Sequence, residues 1–288
     1  MSASPYSVAA VIPVHNGADL IRRSIDSVCS QLHPVDGLIV VDDGSTDGTA
    51  DVLRTYGGRI RCIHQSNRGV AAARNTGINS ATSTWIAFLD HDDEWLPQEL
   101  DQQLSALRSS PDAALCYSAY WLISIDGTRN LTHLPLRELW PGIRLRNPFP
   151  PSVVIARKAE LLSLGGFDER LNGCEDWDLF VRLLMAHKAV EVPCPLTNYY
   201  ETSASISCNY RRMLPDTLSI VDRSLLTGLS GLKRALWRRR IRSELYYHAA
   251  ISARQLGDPA MEYLVRSISQ WPLPDRRFKT IAAECLGR

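Results

Sequence analysis

The sequence predicts an α/β protein: a twisted sheet of short buried strands with helices on both faces, followed by a C-terminal helical region. Three observations predict it. Apolar runs alternate with helical stripes between Val8 and Ile125. Two of those runs end in acidic turns, Asp42-Asp43-Gly44 and Asp90-His91-Asp92-Asp93. From about Pro215 onward the pattern becomes helical alone.

The run 8–14 reads as a buried strand. A helix over 18–32 follows, with Leu20, Ile21, Ile25, Val28, Cys29 and Leu32 on one stripe. Gly37 precedes a second strand, 38–41. Asp47 then caps a helix that Gly57-Gly58 stops near Tyr56. A third strand covers 60–63, an Ala-rich helix 68–81 and a fourth strand 84–89. Pro97 opens the next helix, and a strand over 113–125 ends in the turn Asp126-Gly127. This rhythm argues for parallel strands covered by helices on both faces. Residues 126–175 are less regular, with a strand at 152–156 and a helix at 158–164. Near the end, Leu245, Ala249, Ala250, Ala253 and Leu256 form one stripe and Leu264, Val265 and Ile268 another, separated by Gly257-Asp258-Pro259.

Composition narrows the function. The 288 residues hold 32 basic and 31 acidic side chains, a net charge of +1, which argues against a nucleic-acid partner. The seven cysteines show no C-x-x-C spacing, as expected of reduced thiols. The 8–14 run is too short to span a bilayer, so a cytoplasmic location is expected. No G-x-G-x-x-G follows the first strand and no Walker pattern occurs, which sets aside nicotinamide dehydrogenases and P-loop enzymes.

The acidic turns carry the chemistry. Asp43 closes a strand where open α/β sheets bind ligands, and its carboxylate can accept the ring N–H of a nucleobase. Asp90, Asp92 and Asp93 repel one another unless a cation neutralises them. Hard divalent ions take such oxygen donors together with phosphate oxygens.

These motifs together resemble the inverting nucleotide-sugar glycosyltransferases of the A-type fold, family two. The matching blocks run in order: Val11-Ile12-Pro13-Val14-His15-Asn16, then 40–47, then 67–77 with 88–93, then Gly165-Gly166-Phe167-Asp168-Glu169 with Glu175-Asp176-Trp177. The resemblance covers about residues 8–205. It implies a Rossmann-like nucleotide-diphospho-sugar transferase fold with a mixed sheet. The expected catalytic domain is 1–210, divided into a nucleotide-binding half (1–125) and an acceptor half (126–210), ahead of a helical region (211–288).

The resemblance also implies roles. Pro13, His15 and Asp43 would line the nucleoside pocket, and Arg74 would lie near the diphosphate. Asp90 and Asp92 would form the ribose-and-metal motif for Mg²⁺ or Mn²⁺, with Asp93 an adjacent candidate ligand. Asp176, beside Glu175, would be the general base. The implied reaction moves a sugar from a nucleotide sugar, with UDP expected, to a glycan or lipid-linked acceptor. Related enzymes often complete the metal shell with a later histidine, and 197–209 holds none. Trp121, Trp140 and Trp177 are candidates for stacking on sugar rings. The alternatives are a catalytically silent binder of the same fold and a sugar-phosphate nucleotidyltransferase, although the latter's Gly-rich basic loop is missing after the first strand. Finally, Lys233, Arg234, Arg238, Arg239, Arg240 and Arg242, with Trp237 and Ile241, offer a peripheral contact to an anionic membrane.

Overall fold

The computed structural model describes residues 4–147, 149–171, 173–202 and 210–272. They fall into two compact units, one of residues 4–140, 149–171 and 175–202, the other of 141–147, 173–174 and 210–272.

The first unit is a nine-stranded sheet in the order β3-β2-β1-β4-β8-β6-β9-β5, with β7 paired to β6. Strands β1 (Val8–Val14), β2 (Gly37–Asp43), β3 (Arg61–Gln65) and β4 (Trp85–Phe88) are mutually parallel. Between them run α1 (Ile21–Cys29), α2 (Thr49–Arg54) and α3 (Val70–Ser80). The remaining strands make the sheet mixed. They are β5 (Glu94–Trp95), β6 (Ala113–Ile123), β7 (Arg129–Thr132), β8 (Val154–Arg157) and β9 (Lys188–Tyr200). Strand β8 is antiparallel to both β4 and β6, while β6 is parallel to β9. The helices here are α4 (Glu99–Ser109), α6 (Lys158–Ser163) and α7 (Glu175–Ala186). A short segment, α5 (Leu136–Gly142), is broken at Trp140, whose position before Pro141 disfavours helical backbone.

Every residue of β1 is buried, because both faces of the strand are covered. One face packs Val8, Ala10, Ile12 and Val14 with Ile21, Ile25 and Val28 of α1 and Leu100, Leu104 and Leu107 of α4. On the other face lies α3. Gly77 of α3 sits so close to Val11 that any side chain there would overlap the valine, which lets the helix backbone approach the strand.

Most predicted elements fall within a few residues of their places. The α1 stripe is shorter than expected: Cys29, in the last turn, is exposed, and Leu32 is exposed because it lies beyond the helix end at Cys29. Strand β9 is the largest element not anticipated. It carries Pro193 and Pro195, and its pairing with β6 shifts register, so no clean alternation marks it.

The second unit contains α8 (Tyr210–Ile220), a π-helical turn (Val221–Leu225), α9 (Gly231–Gln255) and α10 (Met261–Gln270). Ala249, Ala250 and Ala253 pack with Leu264, Tyr210 and Tyr247. Ser243 and Ser267 exchange buried hydroxyl-to-carbonyl hydrogen bonds of 2.8 Å. Leu256 and Val265 face solvent instead of extending the stripes. The basic run is largely engaged: Arg234 and Arg238 bind Asp222, Arg240 binds Glu244, and Arg239 donates to the Gln270 carbonyl. Ile241 is fully buried and so is not a membrane-facing side chain. No helix among the described residues is long and apolar enough to cross a membrane. No two of Cys29, Cys62, Cys116, Cys174 and Cys194 are joined in a disulfide; Cys208 and Cys285 lie outside the described residues.

Candidate active site

The C-terminal ends of β1, β2 and β4 lie side by side in the sheet, and the predicted acids close β2 and β4. Asp43 ends β2 and is buried. Its carboxylate accepts the backbone N–H of Arg68 at 2.9 Å and of Gly69 at 2.7 Å, and the Gln65 amide at 2.7 Å. These bonds organise the loop that leads into α3. Gly44 makes the loop possible: it has φ +75°, and a Cβ there would lie 2.7 Å from the Asn67 nitrogen. Asp42 points elsewhere. Burial opposes its charge, but hydrogen bonds from Ser45 and His64 outweigh that and hold its carboxyl below the ordinary range.

His15 follows β1, and its Nδ1 lies 3.0 Å from the Asp43 carbonyl. A carbonyl only accepts, so Nδ1 carries a proton toward it, and Nε2 lies 3.1 Å from Asn67 Nδ2. Pro13 is buried within β1 opposite Val41. Asn16 has φ +52°, a region asparagine tolerates, and its side chain accepts the Thr46 N–H at 2.8 Å.

The turn after β4 is held from behind by α1. Ser24 Oγ lies 2.7 Å from the carbonyl oxygens of both His91 and Asp93, which share its one proton, and Arg23 donates to the carbonyl of Asp92 while stacking 3.8 Å from the Tyr200 ring centroid. Asp93 is fully buried and faces Ser152, whose hydroxyl it accepts, and the Tyr200 N–H at 3.0 Å. Burial, then the charges of Asp92 and Asp90, push the Asp93 carboxyl well above the ordinary range. Burial and the neighbouring Asp90 also raise Asp92. Asp90 stays partly exposed, and its own N–H donates to Ser152 Oγ at 3.1 Å.

Arg74 joins the two sides of the site. Its side chain is buried, Nη2 donates to Asp90 Oδ1 at 2.6 Å, and Nη1 donates to Glu175 Oε1 at 2.7 Å. Burial opposes its charge, but Asp90 and Glu175 more than restore it and hold the guanidinium above its ordinary value. Glu175 opens α7, and Asp176 is the next residue, half-buried, with Oδ1 accepting the Trp177 N–H at 2.7 Å. The loop ahead of α7 is tied to α3 by Asn75, which accepts the Phe167 N–H at 2.9 Å and donates to its carbonyl at 2.8 Å.

Asp90, Arg74 and Glu175 therefore meet directly, and Asp43 and His15 meet through a backbone carbonyl. The importance of Ser152, Asn75 and Arg23 was not legible in the sequence; only Asn75 fell within a matched block. Trp177 is buried, and Trp121 is half-buried with the Arg129 guanidinium 4.3 Å from its ring centroid. His133 pairs with Glu191 and His187 with Glu160. Among the described residues no three His, Cys, Asp or Glu side chains converge for a metal. Residues 203–209, part of the segment 197–209 that holds no histidine, lie outside the described residues.

Residues 9–158 match the profile of glycosyl transferase family 2, and 144–226 match a second profile, glycosyltransferase-like family 2. The chain belongs to glycosyl transferase family 2. A Rickettsia felis protein named an uncharacterized glycosyltransferase is 31% identical over 189 residues, covering 62% of this chain and 31% of that protein. The chain spans 27% to 49% of the length of several such curated relatives. Two solved structures are similar in fold. TarS of S. aureus, in complex with UDP-GlcNAc, has TM-score 0.66 and 16% identity, over 92% of this chain and 79% of that one. A mannosyltransferase of Pyrobaculum calidifontis, in complex with GDP-Man and Mn²⁺, has TM-score 0.63 and 18% identity, over 97% and 79%. The family-2 chain thus has the expected A-type fold with a mixed sheet and a helical C-terminal region.

Proposed function

We propose that this family-2 chain is an inverting glycosyltransferase that moves a sugar from a nucleoside-diphosphate sugar to an acceptor hydroxyl. The observation that carries the reading is the Asp90–Arg74–Glu175 bridge. It sets the acids expected to hold the donor beside the helix turn that bears a candidate base. The solved neighbours bind nucleotide sugars, UDP-GlcNAc in one case and GDP-Man in the other, and UDP is the nucleotide proposed here.

Asp43 would accept the ring N–H of the base. Three of its lone-pair sites are used by the loop, and a carboxylate has capacity for another bond. His15 and Pro13 would flank the nucleoside. Asp90 and Asp92 fit a hard divalent cation: both are oxygen donors, and Asp92 is raised by burial and by its neighbour's charge. Bound Mg²⁺ or Mn²⁺ would offset charge on the departing diphosphate. Asp93, with both oxygens already engaged, would anchor the turn.

In the transfer step Asp176 takes the proton as the acceptor O–H bond breaks. The acceptor oxygen bonds to the anomeric carbon from the side opposite the leaving group. The carbon–oxygen bond to the diphosphate breaks, and its electron pair leaves with the nucleoside diphosphate. Asp176 suits the task because it is half-buried at a helix N-terminus, which favours a carboxylate. The acceptor is proposed to be a glycan or lipid-linked sugar.

A thermal-shift panel of UDP-, dTDP- and GDP-sugars identifies the donor, since a ligand that binds the folded state raises its apparent stability. Release of nucleoside diphosphate with Mn²⁺ then tests turnover. A protein stabilised by a nucleotide sugar that neither hydrolyses it nor transfers from it would be a silent binder.

A further inference from the structure

We propose that Arg74 and Glu175 are positioning residues that set the separation between the donor-side carboxylate Asp90 and the base-bearing turn of α7. This rests on the glycosyl-transfer reading above. It differs from the role implied by resemblance, in which Arg74 lies against the diphosphate.

The geometry favours a strut. One guanidinium spans two carboxylates from different elements: Asp90 follows β4, and Glu175 starts α7. Such planar, charge-assisted pairing fixes both distance and orientation. The strut is itself mounted rigidly. Helix α3 is pressed onto β1 at Gly77, and one residue past Arg74, Asn75 grips the backbone of Phe167 with two hydrogen bonds. The Arg74 guanidinium also lies 5.4 Å from the Phe167 ring centroid.

Burial supports the same reading. The Arg74 side chain is 4% exposed and that of Glu175 6%. Arg74 Nε and Glu175 Oε2 are buried with no hydrogen-bond partner. Desolvating this pair is costly, and replacing a buried ion pair with apolar side chains is often neutral or stabilising. A packing role alone would not need the charges. Glu175 directly precedes Asp176, so a shift of the guanidinium moves the base relative to Asp90. A displacement near 1 Å can cost about a hundredfold in rate.

The test uses the full chain with Arg74→Lys, Arg74→Gln, Glu175→Gln and the double variant Arg74→Gln/Glu175→Gln. Three quantities are read: kcat for donor turnover, affinity for UDP by titration, and backbone hydrogen exchange across residues 175–178. Positioning predicts that Arg74→Lys and Glu175→Gln each lower kcat by about 10- to 100-fold while UDP affinity holds. It predicts faster exchange at the start of α7 in Arg74→Gln, and a double variant no slower than Arg74→Gln alone. A loss of UDP affinity in Arg74→Lys but not in Glu175→Gln would return Arg74 to the diphosphate. Wild-type kcat in Glu175→Gln would overturn the proposal, as would unchanged exchange at α7 in Arg74→Gln. If the wild-type chain turns over no nucleotide sugar, the transfer reading fails, and the exchange arm still decides whether Arg74 holds α7.

Discussion

The carboxylate of Asp43 accepts the backbone N–H of Gly69 at 2.7 Å, joining the end of β2 to the start of α3. The acid proposed to read the nucleobase is therefore also a bracket for its own loop. Asp43→Asn replaces an acceptor oxygen with a donor facing backbone donors. It is expected to cost about 1–3 kcal/mol of stability and to weaken UDP binding at the same time. Urea unfolding and UDP titration check this. Full stability with lost affinity would assign Asp43 to the ligand alone.

Gly77 bears on the same helix. Gly77→Ala puts a methyl into Val11, and α3 must lift from β1 to admit it. The expected cost is about 1–3 kcal/mol. Because α3 carries Arg74, activity should fall further than stability explains. Gly77→Ala/Val11→Ala makes room for the methyl and should recover activity; no recovery would separate the helix seat from the site.

Some of this site was readable from the chain and some was not, for physical reasons. Strands β1 and β4 are buried on both faces and read as continuous apolar runs, so Asp90 announced itself at the end of one. Arg74 directly follows Ala71-Ala72-Ala73 in the Ala-rich helix, but its two partners lie 16 and 101 residues away. No local pattern encodes such a pairing. Strand β9 escaped because its prolines and half-buried positions leave no period, yet it delivers Tyr200 to Asp93 and Thr197 to Glu99.

Glu99 is fully buried, accepting hydroxyls from Ser118 and Thr197 at 2.8 Å. Burial lifts its carboxyl from 4.5 to about 8, against the two hydrogen bonds. The folded state therefore holds a proton that the unfolded state releases between those values. Stability from this group is full below pH 4.5 and is lost as pH rises to about 8, on the order of 5 kcal/mol in total. Glu99→Gln cannot ionise, so its stability should fall less between pH 5 and pH 8 than that of the wild type. Denaturant melts at both pH values decide; parallel losses in the two proteins would show that Glu99 does not carry the slope.

Asp92→Ala is expected to abolish the metal dependence of nucleotide binding while leaving the fold intact. The turn backbone is held by Ser24 and Arg23 through carbonyls, not through the Asp92 carboxylate, so the side chain can be removed without releasing the loop. Titration of UDP with Mn²⁺ and with a chelator should differ in the wild type and coincide in the variant. Equal affinity in all four cases would remove the metal from the proposal.

Asp176→Asn separates a base from a helix-end acid. Both readings predict a modest loss of stability, because an acid in a first turn interacts favourably with the helix dipole by about 0.3–1 kcal/mol. They part on chemistry. Asparagine keeps the shape and an oxygen to accept the Trp177 N–H, as Asp176 does now at 2.7 Å, but it cannot take the acceptor proton. A general base predicts transfer slowed by about 10²–10⁴-fold with UDP affinity unchanged. It also predicts that the acidic limb of the pH–rate profile, set by protonation of the base, disappears from the residual activity. A variant that transfers sugar near the wild-type rate with that limb intact would leave Asp176 with a structural role only, and the proton would have to go elsewhere.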